Sequence, residues 1–188
     1  MKNSSQDNNY KTNNNQDDKQ NNNQENNNQD RLIKQIKFIE EIDKEKLIGR
    51  QTYLADASRK ENDAEHAWHM AIMSVLLSEY SNEKIDVLKT MTMLLIHDIV
   101  EIDAGDTYAY DEDGKKTQRQ RELTAADRIF GLLPSDQAEY MRGLWDEFEE
   151  RKTPEANLKE MRILKMVQRL CGIMRITILS SQMLKMEK

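Results

Sequence analysis

Apolar residues recur at every third or fourth position along most of the chain, which is the spacing of amphipathic helices. No stretch keeps the strict apolar–polar alternation of a half-buried strand, so the pattern predicts an all-α fold. The first stripe follows Asp30, which we expect to be an N-cap, and ends before Gly49, which we expect to stop the helix. Its members are Leu32, Ile33, Ile36, Ile39, Ile42 and Leu47.

A capping signal marks the start of the second helix. Asn62 and Glu65 form an Asn version of the capping box, so a helix is predicted over 63–80. The core face predicted for this helix consists of Trp68, Ile72, Val75 and Leu76.

Further helices follow towards the C-terminus. A third is predicted to begin near Asn82, and a fourth covers 117–131, opened by a Thr-x-x-Gln capping box and closed by a glycine. Another covers 135–151, and Thr153 with the proline after it opens a last helix. The apolar positions predicted for 135–151 are Tyr140, Leu144, Trp145 and Phe148.

The stretch 50–61 is polar and is expected to form an irregular linker. It carries three cations, Arg50, Arg59 and Lys60, which suit the capture of an anionic group. A solvated loop is the alternative for Arg59 and Lys60.

The first thirty residues are of low complexity, because seventeen of them are Asn or Gln. Such a segment buries too little apolar surface to offset its ordering entropy, so residues 1–30 are predicted to be disordered. They form either an inert extension or a prion-like interaction tail. Residues 31–188 are predicted to form one domain.

Composition narrows the function classes. The net charge of −6 argues against a general nucleic-acid-backbone binder, which needs an excess of lysine and arginine. No apolar run reaches the roughly 18 to 20 residues that span a bilayer, and the N-terminus is too polar for a signal peptide. The single cysteine, Cys171, excludes an intramolecular disulfide. A cytoplasmic protein without membrane or nucleic-acid partners is expected.

The adjacent polar residues His97 and Asp98 interrupt an apolar helical run. Adjacent helical side chains point about 100° apart, so one small ion at the helix edge can bind both. Glu101 follows on the same face. The alternative is a buried histidine that is hydrogen-bonded to Asp98 and has no catalytic part.

All three histidines of the chain fall in the helix that begins at 63 and the one that carries His97. His66 would complete a set of two imidazoles and one carboxylate, which suits a borderline divalent metal and leaves positions for water. We expect His69, three residues after His66, to be structural or adjacent to the substrate.

Five segments, in order and at matching spacing, carry a family resemblance. They are 49–53, 61–68, 97–101, 105–107 and 153–156. With these segments, the region from about Leu32 to Ala156 resembles the HD-domain metal-dependent phosphohydrolases, most closely their YfbR-like 5′-deoxynucleotidase branch.

The resemblance implies a function and a set of roles. It implies an HD-domain helical bundle that hydrolyses nucleoside 5′-monophosphates, mainly the deoxy form, and associates as a homodimer. Its metal ligands would be His66, His97 and Asp98, holding a divalent cation of the Mn, Co, Zn or Fe type. Glu101 and Asp106 would be catalytic, and Arg50 would bind phosphate.

The resemblance weakens after Ala156. The family's final metal ligand, an aspartate, would fall at or near Ile163, and the chain has no aspartate after Asp146. Residues 157–188 diverge abruptly, as a change of reading frame would produce. A catalytically impaired HD-fold protein that keeps a ligand-binding or oligomerisation role is therefore the rival hypothesis.

Overall fold

The computed structural model describes the backbone of residues 7–105 and 112–157, and side chains over 24–105 and 117–157. Helices dominate this part of the chain, which confirms the predicted all-α class. The elements are α1 (Asp7–Ile42), a 3₁₀ helix (Asp43–Leu47), β1 (Gly49–Tyr53), β2 (Lys60–Asn62), α2 (Asp63–Leu77), a 3₁₀ helix (Ser78–Tyr80), α3 (Val87–Ile96), α4 (Glu101–Ala104), α5 (Glu112–Phe130) and α6 (Ser135–Glu150).

The hydrophobic core lies between α2, α3, α5 and α6. Trp145 of α6 is completely buried and packs against Phe130 of α5, with the ring centroids 6.5 Å apart. Its indole N–H donates to the carbonyl oxygen of His97 at 3.1 Å. This contact ties the backbone after α3 to the centre of the core.

The core face predicted for α2 was wrong. The four predicted side chains are exposed, with Trp68 at 62% and Leu76 at 66%. The buried face instead carries Ala67, Met70, Ala71, Met73 and Ser74. Because α2 is apolar on several sides, periodicity could not choose between its faces, and its small residues allow α3 to approach closely.

Helix α1 also differs from the prediction. It begins at Asp7, so it runs through most of the segment predicted to be disordered. The run from 7 to 42 contains neither glycine nor proline, so the helix can propagate from its packed end. The side chains of 24–30 are exposed, and Phe38 is buried against Phe130. Of the predicted stripe, Ile42 packs against the core and the other members are exposed. The boundary at residue 30 remains a prediction.

The polar linker is in fact a short hairpin. Strands β1 and β2 pair antiparallel, with Gly49 opposite Asn62 and Tyr53 opposite Lys60, and Ala57 has a left-handed φ of 61° in the connection. The strands are too short and too polar to show an alternating pattern. None of the described helices combines the length and the apolar character needed to cross a bilayer.

Other helix boundaries divide into confirmed and corrected ones. The capping box of Asn62 and Glu65 is present at the start of α2. Helix α3 begins later than predicted, where the Asp86 side chain accepts the backbone N–H of Lys89. Helix α5 begins before Thr117, so the capping box predicted there was wrong. Helix α6 fits its prediction within one residue, although Tyr140 is exposed.

Candidate metal centre

The start of α2 and the end of α3 bring three sequence-predicted residues together. One ligand atom from each of His66, His97 and Asp98 lies within 4.8 Å of the other two. The two imidazole rings are 5.8 Å apart between centroids. His97 and Asp98 lie in the turn directly after α3 rather than inside the helix.

Contacts from two sides fix the orientation of His97. Its Nδ1 lies 2.8 Å from the carbonyl oxygen of Leu94, and its Nε2 lies 2.9 Å from Oδ2 of Asp98. The ring of Phe148 packs against it at 5.1 Å between centroids. With Nδ1 held by a backbone acceptor, Nε2 is the nitrogen available as a ligand.

The carboxylate of Glu61 fixes the orientation of His66. Oε1 of Glu61 lies 3.3 Å from Nδ1 of His66 and also accepts a hydrogen bond from the hydroxyl of Thr52. A carboxylate on the second nitrogen fixes the tautomer and the ring orientation of a ligating histidine. Sequence reasoning gave Glu61 no such role, although it stands in the matched segment 61–68.

Arg50 joins the site through two carboxylates. Its Nη1 donates to Oδ1 of Asp63 at 2.8 Å and to Oδ2 of Asp98 at 2.6 Å. Asp63 is completely buried at the first position of α2. Sequence reasoning missed Asp63, and an acidic residue in the first turn of a helix is common enough to hide such a role.

The ionisation of the site follows from these contacts. Burial would lower the pKa of His97, but Asp98 and the carbonyl of Leu94 outweigh it and raise that pKa. Burial would raise the pKa of Asp98, but His97 and Arg50 outweigh it and lower the pKa to about 2. The lowered pKa keeps Asp98 as a carboxylate, the form that can bind a metal ion.

Glu45, on the 3₁₀ helix Asp43–Leu47, has the opposite shift. It is buried, and its Oε1 makes no hydrogen bond with any described residue. Burial, together with the charges of Asp98 and Asp63, raises the pKa of Glu45 to about 7. Sequence reasoning missed this residue because its neighbours in space lie far away along the chain.

Comparison with known proteins decides the family. The family model described as "HD domain" matches residues 42–186. The chain belongs to the HD-domain family. The matched range extends past Ala156, where the resemblance of individual motifs weakens.

The curated relatives of this HD-domain chain include proteins named 5′-deoxynucleotidase HDDC2. The Danio rerio protein is 32% identical over 108 residues, covering 57% of this chain and 52% of the relative. The Homo sapiens protein is 28% identical over 101 residues, covering 54% of this chain and 48% of the relative. The chain thus spans about half the length of these relatives.

Two solved structures resemble the HD-domain fold described above. One, from Magnetospirillum magnetotacticum and described as a predicted metal-dependent phosphohydrolase, gives a TM-score of 0.62 at 54% identity and covers 68% of this chain and 65% of that chain. The other, a conserved hypothetical protein from Pyrococcus furiosus, gives 0.55 at 24% identity, covering 78% and 83%. The second likeness shows the fold alone.

The remaining predicted site residues fall in different places. Glu101 is buried at the start of α4, and its backbone N–H donates to the carbonyl oxygen of Asp98 at 2.9 Å. Its backbone is thus bonded to the His97–Asp98 turn, and its catalytic role stays a prediction. Asp106 and Ile163 lie outside the described residues.

The other basic residues of the hairpin make exposed contacts with neighbouring side chains. Arg59 pairs with Glu65 on α2, and Lys60 donates to the side chain of Gln51. These exposed contacts favour the solvated-loop alternative for both cations. His69 is exposed and stacks on Trp68 at 6.2 Å between centroids.

The donor set fits a divalent cation. It consists of two imidazoles whose Nδ1 atoms contact other groups and one carboxylate with a strongly lowered pKa. Two histidines and one carboxylate suit Mn, Fe, Co or Zn and leave coordination positions for water. The buried-histidine alternative does not explain why a second histidine and an arginine converge on Asp98.

Proposed function

We propose that this protein is a divalent-metal-dependent phosphomonoester hydrolase acting on nucleoside 5′-monophosphates, with the deoxy forms preferred. The observation that carries the proposal is the convergence of His66, His97 and Asp98 within 4.8 Å, with the guanidinium of Arg50 on the same aspartate. The names of the HDDC2 relatives support the substrate class.

The metal-holding residues in this proposal are His66, His97 and Asp98. A cation bound there would supply a water of lowered pKa and charge neutralisation at the phosphate. Glu61 holds the ring of His66 in its ligating orientation, and the carbonyl of Leu94 does so for His97. Both imidazoles are thus held in a ligating orientation by groups of the chain itself.

The chain's other residues act on the substrate and on the attacking water. Arg50 donates hydrogen bonds to nonbridging phosphate oxygens, which an arginine does with high geometric specificity. Glu101, directly after the His97–Asp98 turn, orients the water and accepts its proton. Asp106 acts beside the reacting phosphate, a role that rests on the family resemblance alone.

The experiment is a metal analysis followed by an activity panel. Purified protein is analysed for bound metal, stripped with a chelator, and reloaded separately with Mn²⁺, Co²⁺, Zn²⁺ or Fe²⁺. Phosphate release is then measured for ribo- and deoxyribonucleoside 5′-monophosphates against sugar phosphates. Metal-dependent release confined to the nucleotides supports the proposal, and no release with any metal contradicts it.

The rival function is a catalytically impaired protein that keeps the fold for ligand binding or oligomerisation. The observation that favours it is Ile163, where the resemblance implies a fourth, carboxylate ligand. We expect weak metal retention and hydrolysis that rises with added cation, and we expect Ile163→Asp to raise metal occupancy. Stoichiometric metal after dialysis against chelator would show that Ile163 is not a missing ligand.

The homodimer implied by the family resemblance belongs to the same proposal. The exposed apolar side chains on the outer face of α2 support association with another surface, since large apolar patches are costly in water. Light scattering on the eluting protein gives its mass in solution. A monomer at micromolar concentration would contradict a stable dimer.

A further inference from the structure

At the candidate metal centre, one nitrogen of the Arg50 guanidinium donates hydrogen bonds to two carboxylates, one at the start of α2 and one in the turn after α3. Nη1 of Arg50 is shared between Asp98, which follows α3, and Asp63, which begins α2. Asp63 is completely buried, and its own backbone N–H donates to the carbonyl oxygen of Ile48, next to β1. Asp63 is therefore fixed with respect to the strand that carries Arg50.

The two carboxylates have different tasks. Asp98 belongs to the group of side chains that can hold a metal ion, whereas Asp63 does not. If Asp98 binds a cation, its carboxylate charge is divided between that cation and the guanidinium of Arg50. Asp63 is then the carboxylate whose whole charge remains available to hold the guanidinium in place.

We propose that Asp63 is the positioning residue for Arg50, keeping its guanidinium at the edge of the metal centre for the phosphoryl group. Asp63 acts through Arg50 and touches no substrate. This inference rests on the proposed function, in which Arg50 binds the phosphate. It gives a function to the buried carboxylate of Asp63, which is not one of the candidate metal ligands.

A merely structural role is the competing explanation. A carboxylate in the first turn of a helix interacts favourably with the helix dipole, and breaking a buried ion pair destabilises a fold. A purely structural effect on phosphate binding would be the same with or without the Arg50 guanidinium. Measuring how replacement of Asp63 changes phosphate binding in the presence and in the absence of Arg50 therefore separates the two explanations.

The test is a double-mutant cycle with Asp63→Asn, Arg50→Gln and the double variant, all at saturating metal. The readouts are KM and kcat for a deoxynucleoside 5′-monophosphate and Kd for inorganic phosphate, with thermal melts to verify folding. We expect Asp63→Asn to raise KM and the phosphate Kd by about 10-fold, the lower range for loss of a supporting contact. In the Arg50→Gln background the same change should alter both by less than about 2-fold.

Arg59→Gln is the matched control, because Arg59 is a hairpin arginine paired with an α2 carboxylate outside the site. Its KM should equal that of the unaltered protein. An unchanged KM and phosphate Kd in Asp63→Asn, or equal increases in both backgrounds, would overturn the inference. If Asp63→Asn alone fails to fold, the double variant is compared with Arg50→Gln: equal values support the inference, and a further 10-fold rise overturns it.

Failure of the proposed function is recognised separately. It shows as absence of phosphate release in the unaltered protein on every nucleotide. In that case the double-mutant cycle is evaluated from the Kd for inorganic phosphate alone, and the expected changes in that Kd are the same.

Discussion

The two sides of α2 differ in which kinds of side chain they bury. At its start, on the inner side, the charged Asp63 is completely buried and His66 is largely covered. Along its outer side, Trp68 and Leu76 are exposed. Whether a side chain of α2 is buried depends here on its partners rather than on its polarity. Ionisable groups are buried where ion pairs and hydrogen bonds are available to them, and apolar groups are exposed where no described element covers them.

The largest effect is expected from replacing His97, which lies against the inner side of α2 next to His66. His97→Ala removes a ligand and should reduce phosphate release to background, with metal affinity falling by more than the roughly 100-fold seen for supporting residues. Helical content by circular dichroism should stay nearly intact. The control is His69→Ala, which changes an exposed histidine and should be mild. Collapse of activity in the control would show that His69 belongs to the metal centre.

The second prediction compares the two faces directly by urea unfolding. Met70→Ala, on the buried face, should lower the free energy of unfolding by about 3 kcal/mol, because it leaves a cavity. Leu76→Ala, on the exposed face, should change it by less than about 0.5 kcal/mol when the protein is dilute enough to be monomeric. A loss at Leu76 as large as that at Met70 would show that the outer face is covered in solution.

The third prediction concerns Glu45, the buried carboxyl beside the site. Its pKa in the folded protein is raised to about 7, so the unfolded chain ionises first as pH rises and stability falls from about pH 4.5 upward. In metal-free protein, Glu45→Gln should raise Tm by about 2–4 °C at pH 8. The same variant should be nearly neutral at pH 5, where the carboxyl is protonated. A gain at pH 5 equal to that at pH 8 would contradict the shifted pKa.

The smallest expected effect concerns the N-terminal segment. Deletion of residues 1–30 should leave turnover and Tm almost unchanged, because the side chains of 24–30 are exposed. The cut precedes the bidentate ion pair of Arg31 with Asp136, which is retained. A drop in Tm of several degrees would show that the segment docks on the domain.

The sequence predicted the residues that meet at the candidate metal centre better than it predicted the surface around them. His66, His97 and Asp98 meet as predicted, because a capping box fixes where α2 starts and an apolar run fixes α3. Arg50 was a predicted site residue, whereas its hydrogen-bond partner Asp63 was not, since acidic residues at helix starts are common. The hairpin of 49–62 was not predicted, because its strands are short and polar.

By itself, the sequence determined the helical class and the three candidate ligands, because helix periodicity, caps and rare polar residues in apolar runs are local signals. Tertiary structure alone decided which side of α2 faces the core, since both sides are apolar enough to be buried. It also decided that Arg50 contacts both Asp63 and Asp98 and that Glu45 is buried. Such pairings depend on distances between residues far apart in the chain, which no local pattern records.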